Sequence, residues 1–331
     1  MRRLRIIDIL FLLVILILWH CSEEPSGPTS PVETITVAAY AGDSGMPVYL
    51  AKELGYYRQN DLNVIIKDFE SGKQATDAML SGQADISTAT DFVFVSNAFS
   101  YSDLRTIGTI STAKTCELVA RKDRSIITPK DLKGKTIGIT KKSIGEFMLG
   151  RFLLFNDVFL EDVRIVDLVP SELIQSMTSG QIDAALTWDP NIYIIRNKLG
   201  KNAAHWTAQS GQDFNFILIT RDKWIGKHFG AGKRFLNALV QTEDYIQRNP
   251  AKVQAFIKKR FKYSDEYIAY IFPRHHFRIE LPQSLILTME DQAQWRIANR
   301  LASQTKVPNF LLYIHTDMLA EIKPEYVTII R

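Results

Sequence analysis

Short runs of apolar and β-branched residues alternate with longer amphipathic stretches along the chain from about residue 34 onward. Runs of about four to eight such residues indicate strands, and apolar residues recurring every three or four positions indicate helices. The first predicted strands cover Thr34–Tyr40, Leu62–Asp68, Ala84–Thr88 and Leu104–Ile110, and the first predicted helices cover Pro47–Tyr57, Gly72–Leu80 and Phe92–Phe99. This alternation predicts a largely parallel sheet covered by helices.

The same pattern then starts again and is followed by a region with helical periodicity only. The second group of predicted strands covers Lys135–Thr140, Val163–Leu168 and Ile182–Leu186, and its helices cover Ile144–Asn156, Ser171–Ser179 and Asn191–Lys198. Further helices are predicted over Arg234–Arg248, Lys252–Phe261, Ser264–Phe272 and Glu290–Ser303. The chain therefore reads as two similar α/β units and a helical C-terminal extension.

A short sequence repeat supports a duplicated architecture. The motif Ser-Gly-Gln-x-Asp occurs at residues 81–85 and again at 179–183, which is 98 positions later. Asp91 and Asp189 are separated by the same 98 positions, and each follows a predicted strand and precedes a helix. We therefore expect these two aspartates at equivalent edges of two similar lobes.

Two extended apolar segments, Cys116–Arg121 and Phe214–Thr220, bracket the second unit. We interpret them as strands that cross between the lobes and form a hinge. The predicted boundaries are residues 34–120 for the first part of lobe 1, 121–213 for an inserted lobe 2, and 214–331 for the return to lobe 1 with the C-terminal helices. A small ligand would then bind in the cleft between the lobes.

In open α/β sheets, ligands bind outside the carboxyl ends of the strands. The candidate ligand-binding residues at these ends are Tyr40, Asp43, Ser44, Thr90, Asp91, Thr112, Ser143, Ile144, Trp188 and Asp189. Ser143 and Glu146 fit a capping box, and the helix that starts there, with Lys141 and Lys142 nearby, favours an anion. Several of these residues are equally well explained as ordinary helix caps.

The N-terminus predicts export. Three arginines precede residues 6–18, which are apolar except for Asp8. This run is too short to span a bilayer comfortably, and Cys21 lies just beyond it. We expect residues 1–20 to be a signal peptide, Cys21 to carry a lipid anchor to the membrane, and the Pro/Ser-rich residues 21–33 to form a flexible tether. An uncleaved anchor and ordinary secretion remain open, and all three place the body outside the cytoplasm.

Composition narrows the possible functions of the body. A net charge of +4 over 331 residues does not predict nucleic-acid binding. The six histidines and two cysteines are too scattered to predict a metal site, and no phosphate-binding loop is recognisable. We expect no catalytic residues and no cofactor.

Five segments, in this order, resemble a known family. They are Met46–Tyr57, Ser81–Asp85, Asp131–Gly138, Gln181–Pro190 and Val307–Pro324. The chain resembles, over about residues 34–326, the solute-binding proteins of bacterial ABC importers in the nitrate, sulfonate, taurine and thiamine-precursor branch. The resemblance implies a two-lobed type II periplasmic-binding fold that closes on one small molecule and docks as a monomer to a membrane permease.

The resemblance also implies that the aromatic and helix-capping candidates face the cleft; these are Tyr40, Ser44, Thr90, Asp91, Ser143, Ile144, Trp188 and Asp189. Departures from the family pattern leave the ligand open. No arginine occupies a rim motif, where it could hold a sulfonate in a bidentate manner, and Asp43, Asp91 and Asp189 would repel a dianion. A taurine-like zwitterion or a thiamine-precursor pyrimidine is therefore expected as readily as a sulfonate.

Two alternatives to import remain at this point. One is a thiamine-pyrimidine synthase-like enzyme of the same fold, which would require a reactive His or Cys in the cleft; the sequence places neither there. The other is a receptor module that senses a solute instead of delivering it.

Overall fold

Two β-sheets, joined by two short crossings, organise the molecule in the computed structural model, which describes residues 32–209 and 211–330. The strands are β1 (Glu33–Tyr40), β2 (Leu62–Phe69), β3 (Ile86–Thr90), β4 (Leu104–Ala113), β5 (Cys116–Arg121), β6 (Thr136–Ile139), β7 (Arg164–Asp167), β8 (Ala184–Trp188), β9 (Ala203–Thr207), β10 (Phe214–Arg221) and β11 (His275–His276). The first sheet has the order β11-β4-β10-β3-β1-β2, and the second has the order β7-β6-β8-β5-β9.

Helices cover the sheets and extend the chain at its C-terminal end. They are α1 (Met46–Glu53), α2 (Tyr56–Gln59), α3 (Gly72–Leu80), α4 (Asp91–Ala98), α5 (Ile144–Phe155), α6 (Pro170–Ser179), α7 (Asn191–Leu199), α8 (Asp222–Arg248), α9 (Pro250–Phe261), α10 (Asp265–Ile271), α11 (Gln283–Ala298) and α12 (Asp317–Ala320). Among the described residues, no helix is both long and apolar enough to cross a bilayer.

The two sheets are built on the same plan. In the first, β1 pairs in parallel with β2 and β3, and β10 runs antiparallel to β3. In the second, β6 pairs in parallel with β7 and β8, and β5 runs antiparallel to β8. The predicted α/β class, two similar lobes and helical C-terminal extension agree with this arrangement.

The repeated motif has the same structural role in both lobes. The Asp85 carboxylate accepts a 2.7 Å hydrogen bond from the backbone N–H of Thr36, and Asp183 accepts the equivalent 2.9 Å bond from Thr136. Asp85 therefore ties the start of β3 to the middle of β1, and Asp183 ties the start of β8 to the start of β6. The preceding glycines of the motif, at positions 82 and 180, have φ of +79° and +78°, which glycine adopts without strain.

The chain crosses between the sheets at different positions from those predicted. Residues 116–120 were assigned to lobe 1, but β5 lies in the second sheet because it pairs with β8 and β9. The crossings are therefore Lys114–Thr115 and the stretch between Thr207 and Phe214. Gln209 connects them, because its side chain accepts from the N–H of Cys116 (2.7 Å) and donates to the carbonyl of Ala113 (3.0 Å).

Some element boundaries also differ from the prediction. The helix predicted over Pro47–Tyr57 is divided at Gly55, which has φ of +75°. Strand β9 was not predicted, and the helix expected over Glu290–Ser303 begins seven residues earlier, at Gln283. Glu33, predicted as the end of the tether, already pairs with Leu62 in the first sheet. The predicted signal peptide, Cys21 and the rest of the tether up to residue 31 lie outside the described residues.

Helix α11 contacts both lobes. Its Arg296 donates to Ser96 on α4 (3.0 Å) and to Glu146 on α5 (3.2 Å). The neighbouring Trp295 packs edge-on against Phe147, with ring centroids 5.4 Å apart, and lies directly over Gly150, where any side chain would collide with the indole ring. The C-terminal extension is thus connected to lobe 2 as well as to lobe 1.

The repeated aspartates should contribute to stability. We expect Asp183→Ala to lower the free energy of unfolding by about 1–3 kcal/mol, because the Thr136 N–H would lose its partner at a buried position. Urea unfolding of the full chain measures this, with the exposed Glu161→Ala as the control. Equal stability of the two variants would contradict this role for the repeat.

Candidate functional site

The carboxyl ends of the central strands of both lobes meet at one narrow cavity. Its volume is about 20 Å³, and its wall comprises Tyr40, Ser44, Gly72, Lys73, Thr90, Val93, Ser143, Ile144, Trp188, Phe214 and Phe216. A volume of this size accommodates about one water molecule. Residues from both lobes therefore enclose this space tightly.

Four helical segments begin at this cavity. Ser44 lies in the short helical turn before α1, and Gly72 and Lys73 are the first residues of α3. Thr90 precedes α4, and Ser143 caps α5 by accepting from the N–H of Gly145 at 3.2 Å. The N-terminus of a helix carries a partial positive charge and N–H groups without intrahelical partners. These helix ends favour an anion in the cavity, whose wall also includes Lys73 but no arginine.

Aromatic rings form the apolar part of the wall. Tyr40 and Phe216 pack with ring centroids 5.8 Å apart, and Trp188 is only 8% exposed. The Tyr40 hydroxyl donates to the carbonyl of Asp189 across the lobes, at 3.3 Å. Together these rings offer an apolar surface for the body of a small organic molecule.

The structure brings six of the ten candidate residues to the cavity wall. These six are Tyr40, Ser44, Thr90, Ser143, Ile144 and Trp188. Thr90 lies in this wall and is only 7% exposed. Its buried hydroxyl has no hydrogen-bond partner among the described residues. A buried hydroxyl without a partner is unfavourable unless another group completes its hydrogen bonds.

The other four candidates do not line the wall; they are Asp43, Asp91, Thr112 and Asp189. Asp91 accepts from the backbone N–H and the side chain of Asn215, at 3.0 and 2.8 Å, although burial raises its pKa. Asp43 accepts from the Tyr267 hydroxyl at 3.1 Å. Thr112 lines a separate groove beside His276.

Asp189 is the fourth candidate outside the wall and is the least satisfied carboxylate of the site. It is 1% exposed, and its Oδ1 accepts only a 3.3 Å bond from the N–H of Tyr193. Its Oδ2 has no hydrogen-bond partner within the described part of the chain. Burial, and next the nearby negative charge of Asp43, raise the pKa of Asp189 to about 8.

Sequence reasoning missed five wall residues and one contact. The missed wall residues are Gly72, Lys73, Val93, Phe214 and Phe216. The Ser-Gly start of the second predicted helix could have indicated Gly72, where a Cβ atom would lie 2.7 Å from the Ala89 backbone. The contact is between Ser44 Oγ and His275 Nε2, 3.1 Å apart. No sequence signal joins these residues, which are 231 positions apart.

Metal-binding and thiol chemistry have little basis at this site. Within residues 32–209 and 211–330, no three His, Cys, Asp or Glu side chains group as metal ligands. Cys116 is buried, and burial raises the pKa of its thiol, which opposes formation of the reactive thiolate.

The protonation of Asp189 should be visible in the pH dependence of stability. Its pKa rises from 3.8 to about 8 on folding, so the folded chain holds this proton more tightly than the unfolded chain. The associated stability is present at low pH and is lost as pH rises from about 4 to 8. We expect Asp189→Asn to remove this decline in urea unfolding measured across that range. The same slope in the variant and in the wild type would contradict the assignment.

Two proteins of known sequence are similar to this chain over about two thirds of its length. A protein of Brucella abortus (strain 2308) with the name "putative binding protein" is 25% identical over 223 residues, which cover 66% of this chain and 68% of that protein. The taurine-binding periplasmic protein of Escherichia coli (strain K12) is 24% identical over 214 residues, which cover 65% of this chain and 60% of that protein.

A solved structure confirms the expected fold. The alkanesulfonate-binding protein SsuA from Xanthomonas axonopodis pv. citri, bound to MOPS, superposes with a TM-score of 0.75 at 18% identity, covering 87% of this chain and 99% of that chain. The NMT1/THI5-like family model matches residues 44–258, which is more than half of the sequence. The resemblance to solute-binding proteins seen in the sequence is therefore confirmed, and this chain belongs to the NMT1/THI5-like family.

Proposed function

We propose that this protein captures a small organic sulfonate or a taurine-like zwitterion outside the cytoplasm and delivers it to an ABC importer. The observation that carries the proposal is the convergence of four helical N-termini on one cavity with aromatic walls. Helix N-termini bind anions through their N–H groups and dipoles, without needing a basic side chain. The alkanesulfonate- and taurine-binding relatives support this ligand class.

The positions of the carboxylates remove the main objection to an anion. The sequence suggested that Asp43, Asp91 and Asp189 would repel one, but none of the three lines the cavity. Asp91 is held by Asn215, and the raised pKa of Asp189 keeps much of this group neutral at pH 7. A sulfonate at Ser143 would therefore face N–H groups and hydroxyls.

Capture requires that the lobes separate and close again. Pockets for organic ligands usually have volumes of about 300–1,000 Å³, far more than the roughly 20 Å³ enclosed here. Contacts that would open include the bonds from Tyr40 to Asp189 and from the Ser171 N–H to Glu70 (3.2 Å). The two crossings joined by Gln209 would act as the hinge. The closed form would present both lobes to the permease.

We propose binding and not catalysis as the role of the site. The relatives reported above are binding proteins. Ser44 does contact His275, but the Nδ1 of that histidine faces the carbonyl of Ile271 (3.2 Å), and Asp43 lies 3.8 Å from its Nε2. The carboxylate is thus on the same ring nitrogen as the serine, unlike the arrangement of a catalytic triad.

Ligand binding should depend on the aromatic wall. We expect Trp188→Ala to weaken the affinity for alkanesulfonates by about tenfold or more, because the apolar part of the ligand loses its packing surface. Isothermal titration calorimetry with a panel of sulfonates and pyrimidines measures this. Trp224→Ala, which alters a tryptophan stacked on His228 away from the cavity, is the control. Unchanged affinity in Trp188→Ala would exclude this cavity as the binding site.

We also propose that Cys21 carries a lipid that anchors the protein to the membrane. The basic start, short apolar run and following cysteine of the sequence support this. We expect labelled palmitate to be incorporated into the wild type and into Cys116→Ser, whose cysteine is buried, but not into Cys21→Ser. Label that persists in Cys21→Ser would contradict lipid attachment at this residue.

A further inference from the structure

Ser44 is held from behind the cavity wall by a histidine. Its Oγ lies 3.1 Å from Nε2 of His275, and no other hydrogen bond to this Oγ is found among the described residues. Ser44 lines the cavity. His275 lies on the edge strand β11, where it pairs with Ala113 of β4, and is only 7% exposed. The hydroxyl of a wall residue therefore has a buried titratable partner that does not itself line the cavity.

The heavy atoms of this pair have little freedom to move. The backbone N–H of Ser44 donates to Asp43 Oδ1 at 3.0 Å, and its carbonyl accepts from the Ser111 hydroxyl at 2.9 Å. The ring of His275 stacks on Phe277, with centroids 5.6 Å apart and an interplanar angle of 7°. A change at this contact would therefore move hydrogen atoms and leave the side chains where they are.

The second ring nitrogen of His275 determines which way the hydroxyl points. Nδ1 lies 3.2 Å from the carbonyl oxygen of Ile271. Because a carbonyl oxygen can only accept, Nδ1 carries the hydrogen, and in the neutral ring Nε2 is then an acceptor. The Ser44 hydroxyl donates to Nε2 in this state, so only the lone pairs of its Oγ remain for a ligand. Oxygen lone pairs repel an anion.

Protonation of His275 reverses this arrangement. Both nitrogens of an imidazolium donate, so Ser44 Oγ would accept from Nε2 and its own O–H would become free to donate to a ligand. Asp43 Oδ1, 3.8 Å from Nε2, favours the charged ring when it is ionised. The titratable and charged groups around the ring, or joined to it through Asp43, are Asp43, Tyr267, Arg274, His276, Arg278 and Glu280. The same serine can thus present either an acceptor or a donor to the cavity.

We propose that His275 is a positioning residue that sets the direction of the Ser44 O–H bond, so that protonation of His275 strengthens the binding of an anion in the cavity. This inference rests on the proposed function, because it assumes an anionic ligand next to Ser44. Histidine is the side chain whose charge ordinarily changes between about pH 5 and 8. The affinity for a sulfonate should therefore rise as the pH falls through this range, and binding should be accompanied by proton uptake.

Ethanesulfonate tests the proposal on the full-length protein, because its charge stays the same throughout this pH range. Calorimetry should show about tenfold or more tighter binding at about pH 5.5 than at about pH 8, since a donated hydrogen bond replaces a repulsive contact. Titration in buffers of different ionisation enthalpy should show proton uptake. His276→Gln, which alters the exposed neighbour of His275, is the matched control and should retain both results. If ethanesulfonate binds at neither pH, the proposed function fails and the inference fails with it.

Two variants separate His275 from the other titrating groups. His275→Gln keeps a hydrogen-bonding group that does not titrate, and Ser44→Ala keeps the histidine but removes the hydroxyl. Each should reduce the pH effect on affinity to about threefold or less, and the double variant should show no further loss. Asp189, with a pKa of about 8, is present in all of these proteins, so its contribution to the pH effect is common to them.

The two variants also keep the test independent of any single fold. If His275→Gln proves unfolded, the comparison of Ser44→Ala with the wild type gives the result. Ethanesulfonate binding with the same pH effect and the same proton uptake in the wild type and in a folded Ser44→Ala would overturn the inference, and the proposed function would then still be supported.

Discussion

Parallel pairing of the central strands determines where this protein can bind a ligand. Because β1 and β3 run in the same direction, the loops that follow them leave the first sheet at one edge, and the same holds for β6 and β8 in the second. Each of these loops leads into a helical segment, so the positive helix ends collect at a single place. The hydroxyls, the aromatic wall and the narrow cavity all depend on this shared edge.

The hydrogen-bond partners of three buried aspartates, Asp43, Asp91 and Asp189, also affect which ligands the cavity can hold. Helix N-termini at the cavity favour an anion only if the acidic residues near the strand ends do not line its wall. Asp91 is kept off by amide hydrogen bonds from Asn215, and Asp43 by the hydroxyl of Tyr267. Asp189 lacks a comparable partner on one oxygen.

Sequence reasoning recovered the fold because local signals repeat in register. The Ser-Gly-Gln-x-Asp motif encodes a left-handed glycine and a strand-tying aspartate in both lobes, so its second copy revealed the duplication. The cavity was only partly predictable. Residues such as Trp188 follow directly from strand ends, but whether Asp91 faces a ligand or Asn215 depends on a residue 124 positions away. The pairing of Ser44 with His275 has the same non-local origin.

The contact between Trp295 and Gly150 links a helix of the cavity wall to the C-terminal extension. Helix α5 begins at Ser143, in the cavity wall, and carries Gly150 on a later turn. The indole ring packs closely against Gly150, so a shift of α5 relative to α11 would disturb this contact. A partner that touched α11 would therefore contact a helix that is coupled by packing to the cavity wall.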